Sequence, residues 1–146
     1  MASNQNRYER KQGKRQAVKV GCSISFCLSK LDTTQGQSIK QWERDGLLSD
    51  LCTRLRQIGQ YHSSEALAKL LIKQYTKNEY KLPEKSGFKE PKHIEPPKYW
   101  AIIHIKDSSK AVVVGYIEDD VFYIVFLDKH HLFWPTDIQK RGKTRR

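Results

Sequence analysis

The sequence predicts an α+β fold in which one strand and a helical hairpin precede a three-stranded antiparallel meander. Three observations predict it. Apolar residues alternate over residues 17–28, they recur every three or four positions over residues 39–75, and three β-branched or aromatic runs follow residue 100. A chain of 146 residues, 38% of them hydrophobic, can bury one core of ordinary size. We therefore expect a single domain over residues 17–136.

The first strand is predicted over residues 17–28. Its apolar positions share one parity and should form one buried face, which places Cys22 in the core and Cys27 on the opposite face. These two thiols then point apart and cannot form a local metal clip. The three cysteines fit no disulfide framework, and no apolar run is long enough for a membrane span or a secretory leader. We expect a cytoplasmic protein.

The first helix is predicted over residues 39–58. Ser38 and Gln41 have the spacing of a capping box at its start, and Gly46 weakens its middle and favours a break there. Four basic residues are expected to face water: Lys40, Arg44, Arg54 and Arg56. Six apolar residues are expected to face the core: Trp42, Leu48, Leu51, Cys52, Leu55 and Ile58.

A second helix is predicted to begin at Ser63 and Ser64 and to run to about Tyr75, with Leu67, Leu70 and Leu71 facing inward. The two helices should form an antiparallel hairpin. Residues 76–98 then form a long connection that contains several lysines and four of the five prolines. Its aromatic residues have two interpretations, core packing or stacking on unpaired bases: Tyr75, Tyr80, Phe88, Tyr99 and Trp100.

The meander is predicted over residues 101–106, 110–117 and 121–128, with Asp119 and Asp120 as turn formers between the last two runs. The third run is apolar on both parities, so it should be a central strand. The first strand is expected to join the edge of the meander, giving about four strands with the helices on one face. His104 alternates with the isoleucines beside it and is expected to face water.

Positive charge is concentrated at the two ends of the chain. Residues 1–19 and 137–146 together supply nine of the formal net charge of +11. Lysine and arginine that reach phosphates release condensed counterions, so this distribution indicates a polyanionic partner, although basic ends are also found as solvated tails. The predicted nucleic-acid contacts are Arg7, Arg10, Lys11, Lys14, Arg15, Lys81, Lys85, Lys89, Lys140, Arg141, Lys143, Arg145 and Arg146.

Residues 115–135 contain a Gly-aromatic strand, an acidic turn, a strand ending in Leu-Asp and a His-aromatic-Pro exit. Together with the upstream strand and helices, this layout resembles the RelE/ParE-type toxin superfamily. Its members are ribosome-associated ribonucleases, gyrase poisons or relatives without toxin activity. The resemblance implies a RelE-like fold with flexible basic ends at residues 1–16 and 137–146, docked on nucleic acid or a nucleoprotein, with RNA favoured over DNA.

Three functions follow as hypotheses. The first is an RNA-binding protein without cleavage activity, working with a protein partner or ribonucleoprotein in a prokaryotic defence or toxin-type system. The second is a metal-independent endoribonuclease toxin, with His130, His131 and Lys85 as the catalytic groups. The third is a DNA-directed or gyrase-directed toxin. The chain has no Gly-rich phosphate loop, nucleophile elbow or ligand-spaced Cys and His pairs, so we expect no cofactor, no metal and no membrane partner.

Overall fold

The computed structural model describes residues 22–74, 82–83, 85–95 and 98–135. Within them the predicted α+β class is confirmed, as three short helices and one five-stranded mixed sheet. The basic ends and the start of the predicted first strand, residues 17–21, lie outside the described residues. Among the described helices, none has the length and apolar character needed to cross a bilayer.

Eight elements make up the described fold. The strands are β1 (Ser25–Cys27), β2 (Lys73–Gln74), β3 (Ala101–His104), β4 (Val112–Glu118) and β5 (Val121–Asp128), and the helices are α1 (Ile39–Arg44), α2 (Leu47–Ile58) and α3 (Ser63–Ala68). The strand order is β1-β5-β4-β3-β2, with β1 parallel to β5 and every other pair antiparallel. The first strand therefore joins the meander edge as predicted, and β2 adds a fifth strand that the sequence pattern did not indicate.

The first predicted helix is two helices, α1 and α2. The capping box is confirmed, because the Gln41 N–H donates to Ser38 Oγ at 3.1 Å and the Ser38 N–H donates to Gln41 Oε1 at 2.8 Å. The break falls at Gly46, whose φ of 75° is left-handed. Glycine adopts that conformation without a steric penalty, so the chain turns between α1 and α2 at this residue.

The second helix ends at Ala68, so the prediction that it runs to about Tyr75 was wrong. Leu70 takes a φ of 59°. Its N–H donates to Leu67 O at 3.1 Å, and the Leu71 N–H donates to Ala66 O at 3.0 Å, which together form a Schellman motif. This ending turns the Leu70 side chain outward, where it is 66% exposed instead of facing the core.

One face of the sheet packs against the helices. The main contacts are made by buried residues of both layers: Trp42, Leu51, Ile58, Ala66, Ile103, Val113, Phe122 and Ile124. Cys22 and Cys52 were expected in this core and are exposed. Cys22 precedes the three-residue strand β1, where alternation no longer sets the side-chain direction. Cys52 lies about 100° around α2 from Leu51, at the margin of the buried stripe.

The second face of the sheet is also covered. Five residues that precede β3 or follow β5 pack over Trp100, Ile102, Val114 and Phe126: Leu82, Phe88, Ile94, Phe133 and Trp134. The Phe88 and Phe126 ring centroids lie 4.6 Å apart, and those of Trp100 and Phe133 lie 5.7 Å apart. Core packing is therefore confirmed for Phe88 and Trp100, while Tyr75 and Tyr80 lie outside the described residues.

Strand β5 has the central position that its apolar pattern predicted, between β1 and β4. Its pairing with β4 slips by one residue at Val114 and Gly115, so that Val125 is the extra residue of a bulge. The β4–β5 turn confirms the role of Asp119 and Asp120, which both take positive φ values, 53° and 62°. Two such residues are characteristic of a type I′ hairpin turn.

Candidate functional site

One end of the sheet aligns residues from three strands, two of which bear titratable side chains. Strand pairing aligns His104 with Val112 and Val112 with Asp128. Val112 packs in the core of the second face, so His104 and Asp128 belong to that same face. The residues at this end therefore meet under the segment that follows β5.

Asp128 shapes the turn after β5. Its side chain is fully buried, and its two carboxylate oxygens accept hydrogen bonds from the Leu132 N–H at 2.9 Å and the Phe133 N–H at 2.8 Å. Burial raises the pKa of this carboxyl group, against the opposing effect of the two N–H donors and of His131. Because both oxygens are occupied, Asp128 acts on the site by holding residues 131–133 in place.

The turn carries His131 onto His104. His131 has a φ of 59° and is 5% exposed, and its ring centroid lies 5.1 Å from that of His104. Its buried Nδ1 has no hydrogen-bond partner among the described residues. The prediction that His104 faces water was therefore wrong. Alternation gives the correct face, but the His131 turn covers that face.

His104 opens on its other side to a cavity of about 180 Å³, which we call the His104 pocket. It is lined by Arg54, Leu70, Leu71, Lys73, His104 and Asp107. Burial lowers the pKa of His104 to about 4, and the positive charges of Lys73 and Arg54, together with His131, act in the same direction. The His104 imidazole is consequently neutral near pH 7 and has one nitrogen able to accept a proton or a hydrogen bond.

Two cations stand at this pocket. Arg54 was expected in water, but its side chain is only 13% exposed and its Nη2 lies 2.9 Å from Asp107 Oδ1. The Arg54 guanidinium also holds the pKa of the Asp107 carboxyl below its usual range. Lys73 is exposed and makes no ion pair with a described residue. A neutral imidazole beside an arginine and a lysine suits a phosphate group, which would share the Arg54 guanidinium with Asp107.

The predicted catalytic residues separate in space. His131 lies in the cluster, whereas His130 is exposed and does not line the pocket. Lys85 is exposed in the segment over the second face and does not line the pocket either. Of the predicted nucleic-acid contacts, Lys85 and Lys89 are described and exposed. The others lie outside the described residues: Arg7, Arg10, Lys11, Lys14, Arg15, Lys81, Lys140, Arg141, Lys143, Arg145 and Arg146.

Sequence reasoning missed Arg54 and Lys73 as site residues. Arg54 follows the spacing of the solvent face of α2, and Lys73 was assigned to the end of a helix that stops at Ala68. No local signal marks either residue.

The described residues contain no group of three His, Cys, Asp or Glu side chains arranged to hold a metal ion. Comparison with known proteins yields no match: no protein family, characterised protein or solved structure is similar enough to assign this chain. The described chain has the order of a strand, short helices and a mixed five-stranded sheet, and no family match identifies it as RelE-like.

Proposed function

We propose that this protein binds RNA and that the His104 pocket is one of its contact sites. The observation that carries the proposal is that Arg54 and Lys73 line the same pocket as a neutral imidazole. The cations would contact a phosphate, and the free nitrogen of His104 would accept a hydrogen bond from a neighbouring 2′-hydroxyl. Since only RNA carries that hydroxyl, this arrangement favours RNA over DNA.

The charge distribution supports different roles for the two ends of the chain and for the His104 pocket in binding RNA. Lys and Arg only slightly outnumber Asp and Glu among the described residues, so most of the net charge of +11 belongs to the two ends. The ends would supply long-range, salt-sensitive attraction to the phosphate backbone. The pocket would supply a local contact that positions one phosphate.

The RelE-like assignment, a cytoplasmic location and work inside a ribonucleoprotein or a prokaryotic toxin-type system belong to the same proposal. Their support is the topology and the presence of large exposed apolar side chains suited to a protein partner, including Leu28, Ile39 and Leu132. A gyrase-directed or DNA-directed toxin has no observation in its favour beyond the shared charge.

The test is RNA binding by a pocket variant and a matched control. Fluorescence anisotropy would follow structured RNA, single-stranded RNA and duplex DNA over a salt series. We expect Arg54→Gln with Lys73→Gln to weaken RNA binding about tenfold, as the loss of two charge-assisted phosphate contacts would. The control is Lys40→Gln with Lys110→Gln, two exposed lysines that do not line the pocket.

Equal affinity of the pocket variant and the control would remove the pocket from the proposal. A wild-type protein that retains none of the three nucleic acids at low salt would contradict RNA binding altogether. Equal retention of RNA and duplex DNA would contradict the preference for RNA.

A specific observation also favours the second candidate, a metal-independent endoribonuclease. The His104 and His131 rings lie 5.1 Å apart, so the two imidazoles could serve as base and acid. His104, with its pKa lowered to about 4, is unprotonated near pH 7 and can take a proton, as a weaker base than an ordinary imidazole. In this reaction His104 takes the proton of a 2′-hydroxyl, and the O2′ attacks the adjacent phosphorus. The P–O5′ bond breaks and the leaving O5′ takes a proton from His131 or His130, giving a 2′,3′-cyclic phosphate and a 5′-hydroxyl.

Gel analysis of end-labelled RNA incubated with the protein in EDTA tests cleavage. We expect defined fragments from the wild type and a loss of about a hundredfold or more in rate for His104→Ala. His131→Ala and His130→Ala then separate the two possible acids. Intact RNA with the wild type, or fragments that survive all three substitutions, would exclude this reaction.

A further inference from the structure

A second and larger cavity lies away from the His104 pocket. It is an open cleft of about 730 Å³ between residues 31–35 and residues 87–93, and it shares no lining residue with the His104 pocket. Its volume falls within the range of small-molecule binding sites. We call it the Lys89 cleft.

Hydrogen bonds between the two sides of the cleft fix the distance between them. The Gln35 side chain donates to Lys89 O at 3.0 Å and accepts from the Lys89 N–H at 2.7 Å. At the other end of the cleft, His93 Nε2 lies 2.7 Å from Lys30 O. Three cross-connections of this kind give a preformed site, which reduces the entropy that a ligand must overcome on binding.

The floor of the cleft is anchored to the sheet. The Asp32 N–H donates to Val125 O, the bulge residue of β5, at 2.7 Å. The buried Asp32 carboxylate accepts from the Thr34 N–H at 2.7 Å, from Thr34 Oγ1 at 2.6 Å and from Gln35 Nε2 at 3.3 Å. The Asp32 carboxylate is thus occupied by hydrogen bonds within the cleft lining. The other lining groups remain available to contact a ligand.

Those remaining groups have a mixed chemistry. Lys89 and Lys92 are exposed and make no ion pair with a described residue. Leu31 and Pro91 provide apolar surface, and the Glu90 carboxyl adds an acceptor. Burial raises the pKa of Glu90, whose carboxyl group shares the lining with the two lysines. The lining therefore suits a ligand with an anionic end, a flat apolar body and polar edges.

We propose that the Lys89 cleft binds a single nucleotide, with its phosphate on Lys89 and Lys92 and its base between Leu31 and Pro91. The inference rests on the proposed function and deepens it, since the nucleotide would be an unpaired one of the bound RNA. A free nucleoside monophosphate presents the same chemistry and is the other possible source.

The test is calorimetric titration of the full chain with a short single-stranded RNA and, separately, with adenosine and uridine monophosphates. The cleft variant is Lys89→Gln with Lys92→Gln. The control is Lys40→Gln with Lys110→Gln, two exposed lysines outside the cleft, and thermal melting verifies that both variants fold. We expect the cleft variant to bind the RNA about tenfold more weakly than the control, as two lost charge-assisted contacts would predict.

RNA binding that is equal in the cleft variant and the control would overturn this inference and leave the proposed function standing. Monophosphate binding that depends on Lys89 and Lys92, without any RNA binding, would support the cleft as a site for free nucleotides and overturn RNA as the partner. Failure of the wild type to bind either probe would overturn both proposals.

Discussion

At the scale of single residues, the chemistry of His104 depends on the side chains that the fold places around it. In the sequence it is one histidine among isoleucines, and in the structure it lies beneath His131 and opens toward Lys73 and Arg54. Burial is the largest cause of its lowered pKa, and the three neighbours act in the same direction. An imidazole in such surroundings stays neutral over the pH range in which a free histidine becomes charged.

This shift predicts a pH dependence of stability. The pKa of His104 falls from 6.5 in the unfolded chain to about 4 in the folded one, so between these values the unfolded state binds more protons. The His104 contribution to stability is therefore complete above pH 6.5 and is lost as the pH falls toward 4. We expect His104→Gln to lose less stability than the wild type between neutral and acid pH, as measured by urea unfolding. Parallel losses in both proteins would contradict the shift.

Asp128 supports a second prediction about a single side chain. Asp128→Asn replaces one carboxylate oxygen by an NH₂ donor facing a backbone N–H, so one buried hydrogen bond is lost. We expect a loss of about 1–3 kcal/mol in the free energy of unfolding. The control, Asp119→Asn, lies in an exposed turn with φ of 53°, which asparagine also tolerates, and should change stability by no more than about 0.5 kcal/mol. A neutral Asp128→Asn variant would show that the turn does not depend on this carboxylate.

At the scale of elements, the end of α3 determines several features together. The Schellman motif at Ala66–Leu71 stops the helix, turns Leu70 to the mouth of the His104 pocket and lets Lys73 enter a strand. Helices that end in this way usually have glycine at the left-handed position, because a side chain there clashes with the backbone. Leu70 occupies it instead, at a φ of 59°.

We therefore predict that Leu70→Gly stabilises the protein. Glycine removes a left-handed strain of about 1 kcal/mol, and the 66% exposed leucine gives up little buried surface. The comparison is Lys69→Gly, one residue earlier at a φ of −83°, where glycine adds chain entropy and also removes the Lys69 Nζ contact over the Tyr61 ring. This variant should destabilise the protein by about 1 kcal/mol. Chemical denaturation measures both, and a destabilised Leu70→Gly variant would show that the leucine packs more than its exposure indicates.

At the scale of the whole molecule, the residues that pack the two faces of the sheet are different from those that carry most of the net positive charge. The sheet packs on helices on one face and, on the other, on residues that include Phe88, Ile94 and Phe133, so the described residues contain two apolar layers. Both layers are built from contacts among described residues. Most of the net positive charge belongs to those ends, where each Lys or Arg on a phosphate adds to the salt dependence of binding.

Removal of residues 1–15 and 140–146 should therefore leave folding nearly unchanged and weaken RNA binding. We expect the slope of log affinity against log salt to fall in magnitude by about 3 or more, because those segments hold ten Lys and Arg residues. Thermal melting verifies the fold, and anisotropy at several salt concentrations gives the slope. An unchanged slope would identify the ends as solvated tails.

Sequence alone determined the features that depend on neighbouring residues along the chain. The Ser38 capping box, the Asp119–Asp120 hairpin turn, the three meander strands and the central position of β5 all follow from local propensity and short-range alternation. The Gly46 break follows in the same way, because its cause is the freedom of one residue.

Only the tertiary structure decided which residues form the two cavities. The bulge at Val125, the end of α3 at Leu70 and the cover over the second face each depend on contacts between segments far apart in sequence. His104 and His131 meet for two reasons. Strand register aligns β3, β4 and β5 at one end of the sheet, and the Asp128 turn folds residue 131 back over that end. Local patterns carry no information about contacts between distant segments. The sequence therefore identified His131 as a candidate site residue, but it did not predict that Arg54 and Lys73 line the His104 pocket or that the Lys89 cleft forms.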